Sequence, residues 1–386
     1  MDLYGFVLGT NHSLCKVEIS AVLKSKRINF EIVTASAEIL IIQAEKIPSI
    51  NDFGSTAKIV RFYKDLNEIA ADIPSTTKNL TYGLSVYHGG GKFKQLNQLW
   101  HEAPQIAREM KEILQKHGIK SGFLPLKERI LSTVSVKENL LKTGGFELVL
   151  IAGPDQTYFG KTLAVQPYEE YSRRDYGRPA RDSRTGLTPP KIAKMMVNLA
   201  SLPNDAKILD PFCGSGTILQ EAILLGYNQV FGSDKDIRAI TNCRQNLHWQ
   251  FPNIKINLRS IDALKLSQFY RNLDAIITEP YLGSPKLRIM RRDQVLKERE
   301  NLENFYLEVL NEFKKILKPG GIIVMILPVI RYKNEFFYLD ILDKVKFKQQ
   351  KYCDYQEKLG LNLTNRGTIV YYRPGQTVSR EIIIWK

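Results

Sequence analysis

Lys207-Ile-Leu-Asp210-Pro-Phe-Cys-Gly214-Ser-Gly216-Thr-Ile-Leu-Gln-Glu-Ala-Ile-Leu-Leu-Gly226 is the stretch from which the rest of the chain is read. Ile208 and Leu209 predict a short buried strand that ends at an acid, Asp210. Gly214 and Gly216 predict a turn, and a helix follows from Thr217 to Leu225, with Gly226 as its stop. Such a turn lets a ligand approach bare backbone, and the helix start offers N–H groups with no partner inside the helix. One Gly-x-Gly occurs in many nucleotide-binding folds, so the discriminating residues are Asp210 and the Pro-Phe-Cys insert.

From Ala206 onward, strand and helix patterns alternate. Gln229–Asp234 reads as strand two, Asp236–Trp249 as a helix, and Lys255–Arg259 as strand three, ending near Asp262. Leu273–Glu279 reads as strand four, Leu302–Leu317 as an amphipathic helix, and Ile322–Leu327 as strand five. Phe347–Asp354 and Thr368–Tyr372 read as two more strands, the final pair antiparallel. The prediction is an α/β, Rossmann-like domain with a mostly parallel seven-stranded sheet, its ligands beyond the C-terminal strand ends. A pyrophosphate cradle keeps carboxylates away, whereas the amino-acid end of S-adenosylmethionine welcomes one. Asp210-Pro-Phe-Cys-Gly-Ser-Gly-Thr resembles the first motif of class I methyltransferases that act on exocyclic amino groups of nucleobases. The resemblance implies S-adenosylmethionine as cofactor, held by Asp210, Phe212, Gly214 and Gly216. Asp234, about 20 residues past the turn, stands where a carboxylate accepts both ribose hydroxyls, or else caps the following helix. Asp262 stands where such enzymes place an acceptor for the adenine amino group.

Thr278-Glu279-Pro280-Tyr281-Leu282-Gly283 falls where this group has its fourth motif, commonly Asp-Pro-Pro-Tyr or Asn-Pro-Pro-Tyr. An exocyclic amine conjugates its lone pair into the ring and is a poor nucleophile. An acid and a prolyl-position carbonyl that accept its two hydrogens pull the nitrogen toward sp3 and aim the lone pair at the methyl. An aromatic stacks on the base. Here Glu279 replaces the usual Asp, the second Pro is missing, and Tyr281 falls one place early, with Leu282 in the aromatic slot. Glu279, Pro280 and Tyr281 are the candidate catalytic residues.

The formal charge of +15 and pI near 9.4 make a polyanion, nucleic acid first, the expected partner. Cys15, Cys213, Cys243 and Cys353 are far apart with no CxxC pair, which indicates neither a zinc site nor a disulfide framework and fits a reducing cytoplasm. No basic-then-apolar leader opens the chain, and no apolar run reaches membrane-spanning length.

Residues 1–55 read as an α+β, ferredoxin-like unit: a strand at 3–8, a helix capped by Ser13 through Leu23, then strands at Asn29–Thr34 and Ile39–Gln43. Residues 56–166 form a second unit, with strands at Ile59–Tyr63, Leu80–Tyr87, Phe123–Leu126, Phe146–Ala152, Thr157–Phe159 and Lys161–Gln166. Helices are predicted at Pro104–His117 and Ser135–Leu141. Val136-Lys-Glu-Asn-Leu140, Gly144-Gly-Phe-Glu-Leu148 and Tyr158-Phe-Gly-Lys-Thr-Leu-Ala-Val-Gln166 resemble the THUMP domain, an RNA-binding module of tRNA-modifying enzymes. Lys116, Lys120, Lys127, Arg129, Lys137, Lys142 and Lys161 are candidate phosphate contacts there, or a solvated basic face.

Residues 167–190 read as a basic linker before the catalytic domain, 191–386. Six Lys or Arg against two acids in 171–191, among Tyr and Gly, suit RNA contact; Arg173, Arg174, Arg178 and Arg181 are the candidates. The words Arg174-Asp-Tyr-Gly-Arg-Pro179 and Arg181-Asp-Ser-Arg-Thr-Gly-Leu-Thr-Pro-Pro-Lys191 resemble the lead-in of archaeal and eukaryotic tRNA guanine-N2 methyltransferases. Lys286 and Arg288 open a second basic stretch, six basic against three acidic residues through 300, after the fourth motif. Nearly the whole chain resembles the Trm11-type THUMP-domain tRNA (guanine-N2) methyltransferases. That resemblance implies tRNA as partner and guanosine 10 as target; a small activating subunit accompanies the eukaryotic relatives and not the archaeal ones. An adenine-N6 nucleic-acid methyltransferase and a non-catalytic tRNA-binding protein with an altered fourth motif are the competing readings.

Overall fold

A computed structural model describes residues 1–181, 188–352, 356–372 and 375–386. Cys353 and residues 182–187 of the linker fall outside them. The chain forms two compact units.

The first unit runs from Met1 to Tyr168 and takes in a later segment that ends at Leu361. Its strands are β1 (Asp2–Leu8), β2 (Phe30–Ala35), β3 (Ile39–Ala44), β4 (Thr56–Tyr63), β5 (Asn79–His88), β6 (Lys120–Phe123), β7 (Phe146–Ala152) and β8 (Thr157–Val165). They form one sheet in the order β2-β3-β1-β4-β8-β7-β5-β6. The boundary expected at 55/56 falls just before β4, which pairs antiparallel with β1 on one side and β8 on the other. Helices are α1 (His12–Ser25), α2 (Leu66–Ala71), α3 (Phe93–Lys116) and α4 (Thr133–Asn139). Asn11, not Ser13, caps α1: its side chain accepts from Leu14 N at 3.1 Å, while Ser13 is buried. Helix α3 begins eleven residues before Pro104, where the sequence predicts its start. Pro104 is exposed, and its missing N–H removes one hydrogen bond from the helix. The buried stripe Leu96, Leu99, Ala103, Ala107, Met110, Ile113 and Leu114 offsets that loss. The two strands expected on either side of Gly160 are one, β8; a Cβ at Gly160 would come within 2.6 Å of Val60 Cγ1, so the glycine allows close pairing.

The second unit starts at Glu169 and holds α5 (Tyr168–Tyr176, its first residue in the other unit), α6 (Pro190–Ala200), β9 (Lys207–Asp210), α7 (Thr217–Leu224), β10 (Gln229–Asp234) and α8 (Ile237–Gln250). It continues with β11 (Asn257–Ser260), β12 (Leu273–Thr278), α9 (Arg292–Ile316), β13 (Leu317–Tyr332) and β14 (Glu335–Tyr338). After α10 (Gln356–Leu359), which belongs to the first unit, β15 (Ile369–Tyr371) and β16 (Val378–Trp385) complete the sheet. Its order is β11-β10-β9-β12-β13-β16-β15, with β14 added on β13. β9 to β13 pair in parallel, while β16 runs antiparallel between β13 and β15. This is the expected Rossmann-like α/β architecture.

Its core combines Ile276, Ile323, Met325 and Ile383 of the sheet with Tyr306, Val309, Leu310 and Phe313 of α9. Each such side chain contributes about 1.5–3 kcal/mol on full burial. The strand expected over Phe347–Asp354 is not formed in its described part: Gln349 makes a single bridge to Trp385. The strand paired with β15 is instead β16, whose Arg380-Glu381 interrupts an apolar run and hides its strand character. Among the described residues, no helix is long and apolar enough to cross a membrane.

Candidate active site

Four parallel strands bring their C-terminal ends to one edge of the second unit's sheet. Asp210 ends β9, Asp234 ends β10, Ser260 ends β11 and Thr278 ends β12. Strand order reverses between β9 and β12, which opens the crevice where ligands bind in such sheets.

The turn after β9 is built on two left-handed glycines, Gly214 at φ +48° and Gly216 at φ +89°. They serve different ends. A Cβ on Gly214 would meet nothing closer than Phe212 O at 4.0 Å, so its face is open. A Cβ on Gly216 would lie 2.7 Å from Cys243 Sγ, so that glycine lets α8 pack beneath the turn. Asp210 is 1% exposed; its Oδ1 accepts from Phe212 N at 3.1 Å and from Thr278 Oγ1 at 2.7 Å, a bond that spans the switch point. Burial pushes its carboxyl up to about 7 against these two bonds, and the carboxylates of Asp234 and Glu279 push the same way. Among the described residues its hydrogen-bond donors are neutral, so a ligand's ammonium group suits it. Asp234 accepts from Gly214 N at 3.1 Å and Asp236 N at 2.9 Å, fastening the turn to β10, and burial raises its carboxyl. The helix cap is Asp236, which accepts from Arg238 N at 2.9 Å. Asp262 is exposed and accepts from Leu264 N at 3.0 Å, starting a short 3-10 turn over Ala263–Gln268. Phe212 meets the Phe305 ring edge-on, centroids 6.0 Å apart. An open glycine face, a desolvated carboxylate without a cation and a second strand-end acid fit S-adenosylmethionine.

One strand over, Glu279 follows β12. Its Oε1 accepts from Arg380 Nε at 2.6 Å, both side chains 7% exposed, and its Oε2 accepts from Thr188 Oγ1. Pro280 is buried. Tyr281 is 53% exposed, and its carbonyl accepts from the Tyr306 hydroxyl at 3.0 Å. Leu282, in the usual aromatic slot, is half-buried. Lys286 and Arg288 are exposed on the 3-10 turn Pro285–Ile289 that follows.

Two arginines read as phosphate contacts are interior instead. Arg174 is buried against Glu221, Nε to Oε1 2.7 Å, with Lys194 Nζ 3.4 Å from the other oxygen. Arg178 is buried, donating to Ser215 Oγ at 3.0 Å and Thr217 Oγ1 at 2.9 Å, which braces the glycine turn from outside. Desolvation makes each an internal clamp. Arg173 and Arg181 remain exposed, lying over the Trp249 and Tyr176 rings at 4.7 and 5.0 Å. In the first unit Lys161 pairs with Asp72, Arg129 with Glu38 at 2.6 Å, and Lys142 with Glu138 at 2.7 Å, while Lys137 lies 4.9 Å from the Tyr168 ring. Lys116, Lys120 and Lys127 stay exposed.

The sequence reading missed Asn246, Thr188 and Arg380. Asn246 bonds Ala180 N and O, each at 2.9 Å, and Ser215 O at 2.9 Å, joining the lead-in to the turn. Nothing in a helix pattern marks such an amide. Arg380 carried one signal, since a charge inside an apolar run rarely lacks a partner, but nothing local names Glu279 as that partner.

A model of the RMKL-like methyltransferase domain matches residues 178–355. A DNA methylase model matches 87–245, a span that includes the glycine turn and ends before Glu279. The tRNA (guanine(10)-N2)-dimethyltransferase of Methanothermobacter thermautotrophicus is 33% identical over 176 residues, 45% of this chain and 48% of that protein. Its Pyrococcus abyssi counterpart is 28% identical over 250 residues, 60% and 69% of the two chains. The tRNA (guanine(6)-N2)-methyltransferase of Thermus thermophilus is 30% identical over 179 residues, 45% and 47%. The chain spans about half the length of the first of these. The crystal structure of TrmN from Thermus thermophilus superposes with a TM-score of 0.54 at 15% identity, covering 100% of this chain and 99% of the other, a likeness of fold. Strand order and glycine turn give the class I methyltransferase fold, and over about half of its length the chain is similar to the tRNA guanine-N2 methyltransferases.

Proposed function

We propose that the protein transfers a methyl group from S-adenosylmethionine to the exocyclic N2 of a guanosine in tRNA, guanosine 10 by the names of its archaeal relatives. The observation that carries this reading is the strand-end row: Asp210, Gly214 and Asp234 stand beside Glu279-Pro280-Tyr281 where strand order reverses. S-adenosylmethionine supplies, when bound, a methyl group on a sulfonium sulfur. Asp210 faces the ammonium end of the cofactor, Asp234 accepts from its ribose hydroxyls, and Asp262 accepts from its adenine amino group. The open face of Gly214 admits the ligand, Gly216 holds the turn's shape, and Phe212 borders it.

Glu279 and the Pro280 carbonyl accept the hydrogens of guanine N2, which localises the lone pair on nitrogen; the exposed ring of Tyr281 stacks on the base. With the cofactor bound, its methyl group would pass to N2, and the proton that N2 gives up would leave along its hydrogen bond to Glu279. Arg173, Arg181, Lys286 and Arg288 contact RNA phosphates on the catalytic unit, and a THUMP-like module at 56–166 adds Lys116, Lys120 and Lys127. The α+β unit at 1–55, the linker at 167–190 and a cytoplasmic location belong to the same proposal.

Mass spectrometry of nucleosides from tRNA incubated with the protein and labelled cofactor tests it, with N2-methylguanosine the expected product. Glu279→Gln should slow single-turnover transfer about 100- to 1,000-fold, with cofactor and tRNA binding retained. Methylated adenosine beside unmethylated guanosine would support the adenine-N6 reading that the DNA methylase match favours. Tight tRNA binding with no transfer would mark a binding protein.

A further inference from the structure

The acid of the fourth motif is held by two partners from outside that motif. Arg380 donates Nε to Glu279 Oε1 at 2.6 Å, and Thr188 donates Oγ1 to Oε2. Arg380 is itself rigidly carried. It lies on β16, opposite Pro328 of β13 and Tyr371 of β15, and its Nη1 reaches Gln376 Oε1 at 3.3 Å. Both partners of the ion pair are 7% exposed, so the charges meet almost without water. Among the described residues, Asp210, across the switch point, and the Tyr306 hydroxyl of α9 also feel the charge of the acid. Neither is a cation, so Arg380 alone among these offsets the charge of Glu279.

We propose that Arg380 is the positioning residue of this site, fixing the longer Glu279 side chain so that its carboxylate meets the target amine where a shorter Asp is usual. The inference rests on the reading of Glu279 as the acceptor. Glutamate has one more rotatable bond than aspartate. Left loose at a strand end it would sample several rotamers and lose orientation at each turnover. One donor on each oxygen removes that freedom, and each oxygen keeps a second lone pair for a substrate hydrogen. A pair that served stability alone gains little from this place, since buried ion pairs are commonly replaceable by apolar side chains. At the strand end next to the glycine turn, the pair instead sets where a negative charge stands.

Four proteins decide it: Arg380→Gln, Arg380→Lys, Glu279→Gln and the Arg380→Gln/Glu279→Gln double variant. The readouts are the single-turnover rate at saturating tRNA and cofactor, and the two dissociation constants. Arg380→Gln should slow transfer about tenfold or more, with both dissociation constants within about twofold of the parent. Arg380→Lys, which keeps the charge, should recover part of the rate and carries the comparison should the Gln variant fail to fold. The double variant should be no slower than Glu279→Gln, because Arg380 acts through that acid. A parent-like rate in Arg380→Gln, effects that multiply in the double variant, or a loss confined to tRNA affinity would each overturn the role. A parent that leaves guanosine unmethylated overturns the proposed function and this role with it; a parent that methylates alongside an equally fast Arg380→Gln overturns this role only.

Discussion

Asp210 ties the proposed cofactor site to the stability of the fold. Its carboxyl is raised to about 7 chiefly because burial disfavours the charged form, whereas the unfolded chain ionises near 3.9. The folded state therefore keeps a proton that the unfolded state has released. Asp210's contribution to stability is complete below about pH 4 and is lost as pH rises through about 7. A cofactor that brings an ammonium group reverses the preference and expels the proton. Cofactor affinity should thus rise as pH climbs to about 7 and level off above it, with proton release below that pH visible as a buffer-dependent heat in calorimetry. Asp210→Asn, which has no proton to give up, should bind more weakly and with a flat pH dependence. An unchanged pH dependence in that variant would remove Asp210 from the cofactor's ammonium end. Asp234 differs in kind: two backbone N–H groups already occupy it, and Asp234→Ala should cost turn order as well as about 1–3 kcal/mol of cofactor binding.

At the scale of the element, the glycine turn has two halves that mutation should separate. Ala at Gly216 meets both a left-handed φ and Cys243 Sγ of α8, so Gly216→Ala should lower stability by about 2–4 kcal/mol. Cys243→Ala in that background should return part of it. Ala at Gly214 meets only the backbone penalty, about 1–2 kcal/mol, and its methyl enters the open face. Gly214→Ala should therefore lose cofactor affinity out of proportion to its stability. Urea unfolding and cofactor titration of both variants check the separation, and equal losses in both measurements would refute it. The same turn is braced by Arg178 through Ser215 and Thr217 and by Asn246 through Ser215 O. Arg178 and Ala180 of the lead-in are thus a structural part of the glycine turn's frame.

For the whole molecule, the net charge of +15 predicts that tRNA affinity of the intact chain falls steeply with salt. A log–log plot of affinity against salt has a slope of roughly −0.7 to −0.9 per phosphate neutralised. Replacing Lys116, Lys120 and Lys127 together should flatten that slope, and an unaltered slope would exclude them from the footprint. The first unit also depends on the far end of the chain. Buried Lys16 donates to Leu359 O at 2.6 Å and Gly360 O at 3.2 Å, and Leu359 and Leu361 are buried. A fragment of residues 1–168 lacks those acceptors. It should unfold at lower urea than the same unit in the intact chain, with Lys16→Met narrowing the gap.

Whereas β11, Asn-Leu-Arg-Ser, carries one apolar residue and begins two residues later than expected, local pattern was enough for β9, β10 and β12, because each joins an apolar run to a turn and an acid at a fixed distance. The same holds for the residues of the glycine turn, whose chemistry is carried by neighbours in sequence. Long-range partners were not legible. Arg380 is about 100 residues from Glu279, Arg174 and Arg178 are charges that look exposed until α7 closes over them, and β16 carries two charged residues inside a strand. Sequence by itself determined the α/β architecture and the strand-end acids Asp210 and Asp234, since these follow from periodicity and turn chemistry. Only the tertiary structure decided which charges are interior and what holds Glu279, because a buried charge is defined by the partner that compensates it, and that partner comes from the fold.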